Sequence, residues 1–135
     1  MFRKLDETIS VAGQITPADV AEAARQGFAF IINNRPDDEQ PGQPAAAEIE
    51  AAANAAGLGY RAIPITHAGF SENQVTAMRE AIEAAPGPVL AFCRSGTRSI
   101  VTWSLSQASA GERSRSELIA LGRDAGYDLS GVLGG

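Results

Sequence analysis

Short apolar runs alternate with capped helical segments along this chain, and that alternation limits the fold more than any other property of the sequence. Residues 8–12 (T-I-S-V-A) alternate like a strand. Thr16-Pro17-Ala18-Asp19 then opens a helix, with Thr16 as N-cap, a proline at the first helical position and an acid in the first turn. That helix ends near Gly27. Residues 28–33 (F-A-F-I-I-N) form an apolar run of the kind found in strands covered on both faces. An alanine-rich helix over 45–56 is closed by Gly57, and residues 60–65 read as a third interior strand. Ser71-Glu72-Asn73-Gln74 is a capping box; Val75, Met78 and Ile82 follow at helical spacing, until Pro86-Gly87-Pro88 stops the helix. Val89–Phe92 is the fourth apolar run. A helix runs from Ile100 to about Ala110, Ser114 and Glu117 cap a last one ending at Gly126, and 128–135 reads as a tail. Strands and helices joined by short connections predict a three-layer α/β fold. Its central, mostly parallel sheet has four or five strands, with helices on both faces.

At 135 residues the length predicts one domain, large enough for a core without staples. One cysteine excludes an internal disulfide and a cysteine-cluster metal site, and one histidine leaves little for zinc; no metal and no cofactor is implied. The net charge of −5, with no basic stripe, argues against nucleic acid. No apolar run approaches a membrane span and no signal-peptide core is present, so a cytoplasmic location is the expectation.

The chemistry concentrates where the fourth apolar run ends, at Cys93-Arg94-Ser95-Gly96-Thr97-Arg98-Ser99. Sheets of this kind carry their sites at the carboxyl ends of strands. A thiolate between a strand and a helix meets the positive end of the helix dipole and a row of free backbone N–H groups, which favour the anion and make the sulfur nucleophilic. The same turn is a cradle for an anionic ligand. A free cysteine at the end of a buried strand is otherwise a small core residue. Gly96 and a folded-back Arg98 are features that such a structural cysteine does not need.

Three segments carry a family resemblance: Ile9-Ser10-Val11-Ala12-Gly13-Gln14-Ile15, Ile31-Ile32-Asn33-Asn34-Arg35-Pro36-Asp37, and the Cys93 to Ser99 loop. Together they resemble the bacterial beta-lactamase-hydrolase-like, phosphatase-like domain, which is sometimes fused to a persulfide-handling metallo-hydrolase and is also described as a sulfur-transferase family. The element order resembles the tyrosine and dual-specificity phosphatases. Two departures from the phosphatase pattern point toward sulfur. Phosphatases carry His-Cys, five residues, then Arg; here Phe92 precedes Cys93 and four residues precede Arg98, as in rhodanese-like sulfurtransferases. Phosphatases also place an aspartate acid after an interior strand, where this chain has Thr66-His67-Ala68-Gly69-Phe70.

The resemblance implies a Cys93 nucleophile that takes a sulfane sulfur as a persulfide and passes it to an external thiol or cyanide. Arg98 would grip a small anionic donor such as thiosulfate or a persulfide. The alternatives are a phosphatase that forms a phosphocysteine from a phosphate ester, and a non-catalytic anion-binding module. Arg94, Ser95, Gly96, Thr97 and Ser99 are candidate anion-binding residues of the loop. His67 is either a proton donor and anion ligand or a solvent-exposed loop histidine. Asn34 and Arg35 either rim the site or form an ordinary strand-end turn. Asp37, Asp38 and Glu39 read as a solvated loop, and Val101, Trp103 and Leu105 as core.

Overall fold

The computed structural model describes residues 2–66 and 69–133. Five strands, β1 (Arg3–Lys4), β2 (Ile9–Ala12), β3 (Phe30–Asn33), β4 (Gly59–Ala62) and β5 (Val89–Phe92), form one sheet in the order β1-β2-β5-β3-β4. β1 pairs antiparallel with β2, and every other pairing is parallel. The helices are α1 (Pro17–Arg25), α2 (Ala46–Ala55), α3 (Glu72–Ala84), α4 (Thr97–Ser109), α5 (Arg115–Asp124) and the short α6 (Ser130–Leu133).

The period of two along each strand sends alternate side chains to opposite faces. Val89 and Ala91 of β5, Ile9 and Val11 of β2 and Ile32 of β3 pack with Met78, Ile100, Trp103 and Leu118 from α3, α4 and α5. Leu90, Phe92, Ala12 and Ile31 pack with Val20, Ala23, Ile49 and Ala53 from α1 and α2. This is the expected three-layer arrangement, with the helices on both faces. Trp103 is fully buried, as a core residue should be.

Local chemistry starts most helices. Thr16, Ser71 and Ser114 each close a capping box, with Asp19, Gln74 and Glu117 reaching back to the cap backbone. α2 begins at Ala45, which has no capping side chain. Its first N–H, of Ala46, donates instead to the Asp37 carboxylate at 2.8 Å, so an acid in the preceding loop replaces the missing cap.

Three sequence expectations change. Residues 60–65 are not an interior strand: β4 covers only Gly59–Ala62 and lies at the sheet edge, where Arg61 and Ala62 face solvent. β1 is two exposed residues with no periodicity to announce it. The tail is not loose through Leu133, because Leu129 and Leu133 are buried against the α3–α5 face.

Candidate active site

Register places the site. Ala12, Asn33 and Phe92 are aligned across β2, β3 and β5, so the next residues, Gly13, Asn34 and Cys93, leave the sheet side by side at its carboxyl edge. β5 is the middle strand, which puts Cys93 at the centre of that edge. The residues the chain supplies from three distant segments converge there without any long loop.

The loop after Cys93 is fixed from both sides. Gly96 is the N-cap of α4 and has φ +91°, a left-handed conformation that glycine adopts without strain. This turn aims the Gly96 N–H at the Cys93 sulfur, 3.1 Å away. A side chain at Gly96 would collide with the Tyr127 hydroxyl. On the other flank the Gln14 N–H donates to the Arg94 carbonyl at 3.2 Å, and a Cβ at Gly13 would come to 3.0 Å from that oxygen. Cys93 itself has no exposed surface. Arg94, Ser95 and Thr97 are exposed on the loop's outer side, where the Ser95 hydroxyl donates to that of Thr97 at 3.0 Å.

Behind the loop lies a buried brace. The Ser99 hydroxyl donates to Asn34 Oδ1 at 2.8 Å, and Asn34 Nδ2 donates to the Ile63 carbonyl at 3.0 Å. The Asn34 N–H donates to the Phe92 carbonyl at 2.8 Å. Asn34 thus ties together the ends of β3 and β5, the segment after β4 and the first turn of α4. Both Asn34 and Ser99 are fully buried, so their place in the site is to hold the loop's base rather than to meet a ligand.

Two arginines share one carboxylate. Arg98 Nη1 and Nη2 bond Glu39 Oε2 and Oε1, both at 2.8 Å, and Nη1 also donates to the Ile65 carbonyl at 2.7 Å. Arg35 Nε donates to Glu39 Oε1 at 2.9 Å, and its Nη1 and Nη2 reach Gln14 Oε1 and Gln40 Oε1. The Arg98 hydrogen bonds, aided by those of Arg35, overcome burial and push the Glu39 carboxyl down to about 2. The same partnership raises the Arg98 pKa, with a further contribution from the charge of a Cys93 thiolate.

The sign of the resulting pH dependence follows from the lowered Glu39 value. The clamp's contribution to stability is present above about 4.5, the ordinary value, and is lost as pH falls through about 2. Melting temperatures of wild type and Glu39→Gln should differ most at neutral pH and converge between pH 4.5 and 2. A constant gap across that range would show that the carboxylate charge is not what the arginines recognise.

Of the sequence-derived candidates, Cys93, Arg98, Gly96 and Ser99 meet at the loop, with Arg94, Ser95 and Thr97 at its rim and Asn34 beneath it. Arg35 touches the site only through Glu39 and Gln14. His67 lies outside the described residues. Three residues were not anticipated. Glu39 is not part of a solvated acidic loop: its side chain is 17% exposed and lies between the two arginines. The four-residue spacing from Arg35 was its one local signal. Gln14 and Tyr127 have no signal of their own, apart from their places beside Gly13 and Gly126. Among the described residues there is no cluster of His, Cys, Asp and Glu that could hold a metal ion.

The chain is similar to proteins that carry a phosphatase-like domain. A "Beta-lactamase hydrolase-like protein" of Agrobacterium fabrum is 38% identical over 126 residues, which cover 93% of this chain and 29% of that protein. The chain therefore spans less than a third of the curated relatives it matches. A crystal structure of a candidate phosphatase from Neisseria meningitidis superposes with a TM-score of 0.87 at 35% identity, covering 98% of this chain and 94% of that one. Tk-PTP in its active form shares the fold at a TM-score of 0.75 and 20% identity, over 94% of this chain and 86% of its own. The fold is that of the tyrosine and dual-specificity phosphatases. Residues 1–110, which contain the whole loop and its brace, match the model of the phosphatase-like domain of the beta-lactamase hydrolase-like proteins, and the chain belongs to that family.

Proposed function

We propose that this domain is a cysteine-dependent hydrolase of the tyrosine-phosphatase type, acting on phosphate monoesters with good leaving groups. The observation that carries the reading is the state of Arg98. Its described bonds use three of five guanidinium hydrogens: two on Glu39 and one on Ile65. Among the described residues no further bond at hydrogen-bond distance engages the Nε–H and the second Nη2 hydrogen, which share one edge, and the guanidinium also interacts with the Cys93 sulfur. Such an edge matches two oxygens of a phosphoryl group. It is carried on the first turn of α4, directly after the loop whose Gly96 N–H meets the sulfur.

In this reading the Cys93 thiol loses its proton to solvent and the thiolate attacks phosphorus. An S–P bond forms as the ester P–O bond breaks, and the leaving oxygen departs with the electron pair. Arg98 and the loop N–H groups hold the equatorial oxygens as charge builds on them. Water then attacks phosphorus, the S–P bond breaks, and the thiolate and inorganic phosphate are restored. Glu39 cannot protonate the leaving group at neutral pH, because the arginines hold its carboxyl at about 2. Phenolic leaving groups, which need the least protonation, are therefore the expected substrates.

Two observations favour sulfane-sulfur transfer as a second reading. The loop has four residues between Cys93 and Arg98, which closes a smaller ring of N–H donors. Cys93 also has no exposed surface, so a single terminal sulfur reaches it with less widening than a tetrahedral phosphoryl group. Here the thiolate takes the outer sulfur of thiosulfate as the S–S bond breaks and sulfite leaves, and an external thiol or cyanide removes that sulfur.

One experiment separates the readings. The protein is mixed with p-nitrophenyl phosphate or with thiosulfate, and turnover and intact mass are followed. Release of p-nitrophenol, with a transient gain of about 80 Da on Cys93, is expected. A stable gain of about 32 Da from thiosulfate without ester turnover replaces the first reading by the second. Neither product would leave an anion-binding module.

A further inference from the structure

We infer that Tyr127 is a positioning residue for the nucleophile, a latch that fixes which way the Ser95–Gly96 peptide faces. The inference rests on the reading of Cys93 as the nucleophile. The Tyr127 hydroxyl donates to the Ser95 carbonyl at 2.9 Å, and the Gly96 N–H donates to the Cys93 sulfur at 3.1 Å. That carbonyl and that N–H belong to one planar trans peptide, in which the two point in opposite directions. Holding the oxygen outward therefore holds the hydrogen on the sulfur. If the peptide turned over, the Ser95 oxygen would face the thiolate and any substrate oxyanion, a repulsive arrangement. The left-handed glycine at position 96 has no Cβ to resist such a rotation. The phenol supplies the resistance that the backbone lacks.

Tyr127 is itself held in place. Its N–H donates to the Gly122 carbonyl at 2.8 Å. The Arg3 guanidinium lies 5.6 Å from its ring centroid and donates to the Ala125 carbonyl at 2.7 Å. β1 and the turn after α5 thus clasp the ring over the loop. Burial raises the Tyr127 pKa despite the opposing charge of Arg3, and the charge of Cys93 adds a smaller rise, so the phenol keeps its proton at neutral pH. Tyr127 lies outside residues 1–110, the part that matches the family model. The latch is therefore supplied from beyond the segment that carries the loop.

The test is Tyr127→Phe, which keeps the ring and removes the hydroxyl. The Gly96 amide signal in a 15N–1H spectrum is expected to move or split, while the signals of β2, β3 and β5 stay in place. Tungstate, an unreactive tetrahedral oxyanion, is expected to bind about tenfold more weakly, the cost of losing one well-aimed charge-assisted donor. An unchanged Gly96 signal, or unchanged tungstate affinity in a protein that binds it, overturns the latch. If wild type does not bind tungstate, the Gly96 signal alone decides. Turnover surviving in Cys93→Ser would instead overturn the nucleophile reading, and neither latch readout depends on turnover.

Discussion

Cys93→Ser should lower aryl phosphate turnover by roughly 10⁴-fold or more while leaving the fold and oxyanion binding in place. The sulfur accepts the Gly96 N–H in a site with no exposed surface. A serine hydroxyl is smaller than a thiol, accepts the same bond and adds no strain. What it cannot do is ionise. A thiol yields the anion that the proposed attack needs far more readily than an alcohol, whose proton is lost only many pH units higher. The nearby groups do not remedy this. Glu39 is an anion at neutral pH, but its oxygens are taken by Arg98 and Arg35, which leaves it a poor base. Steady-state kinetics with p-nitrophenyl phosphate, beside a melting curve and tungstate binding, checks this. A variant that retains turnover within tenfold of wild type, at unchanged stability, would remove Cys93 from the mechanism altogether.

The chain's local rules were legible because each is written within four residues. The capping boxes at Ser71 and Ser114 and the N-cap at Thr16 lie where the spacing places them. The apolar Val89–Phe92 run marks the middle strand, and its last residue hands the chain to Cys93. What stayed hidden depends on partners far away in sequence. Residues 60–65 look interior because Ile63 and Ile65 are buried, yet β4 ends at Ala62, and Ile63 beyond it packs in the core with Met78 of α3 and Ile100 of α4. Glu39 sits in an acidic run that looks solvated, and only folding brings Arg98, 59 positions later, against it. Tyr127 bonds a carbonyl 32 positions earlier. A charge run reads as surface unless its counter-charges are known, and those are set by which strand ends lie side by side. The cysteine and its loop were therefore visible in the sequence, but Glu39 and Tyr127, which bond the loop's arginine and its backbone, were not.

Arg98→Lys, the variant that keeps the charge, should cost about 10²- to 10³-fold in kcat/KM, with most of the loss in kcat. In the proposed reading the guanidinium does two jobs at once. One edge and one further hydrogen are committed to Glu39 and Ile65, and the other edge would meet the substrate. An ammonium has three hydrogens around a point and no second edge. Drawn to the Glu39 carboxylate, it turns away from Cys93; drawn to the substrate, it leaves Glu39 to Arg35 alone and the Ile65 carbonyl unpaired. An unpaired buried carbonyl costs about 1–3 kcal/mol, so stability should fall along with activity. The two losses can be separated. In Arg98→Lys combined with Glu39→Gln, the competing carboxylate charge is gone, and the ammonium is free to face the substrate. Part of the lost kcat should return, a sign of coupling that two independent defects would not show. If Arg98→Lys retains activity within about threefold of wild type, bidentate recognition by the guanidinium is not the basis of catalysis, and a point charge at the start of α4 is enough.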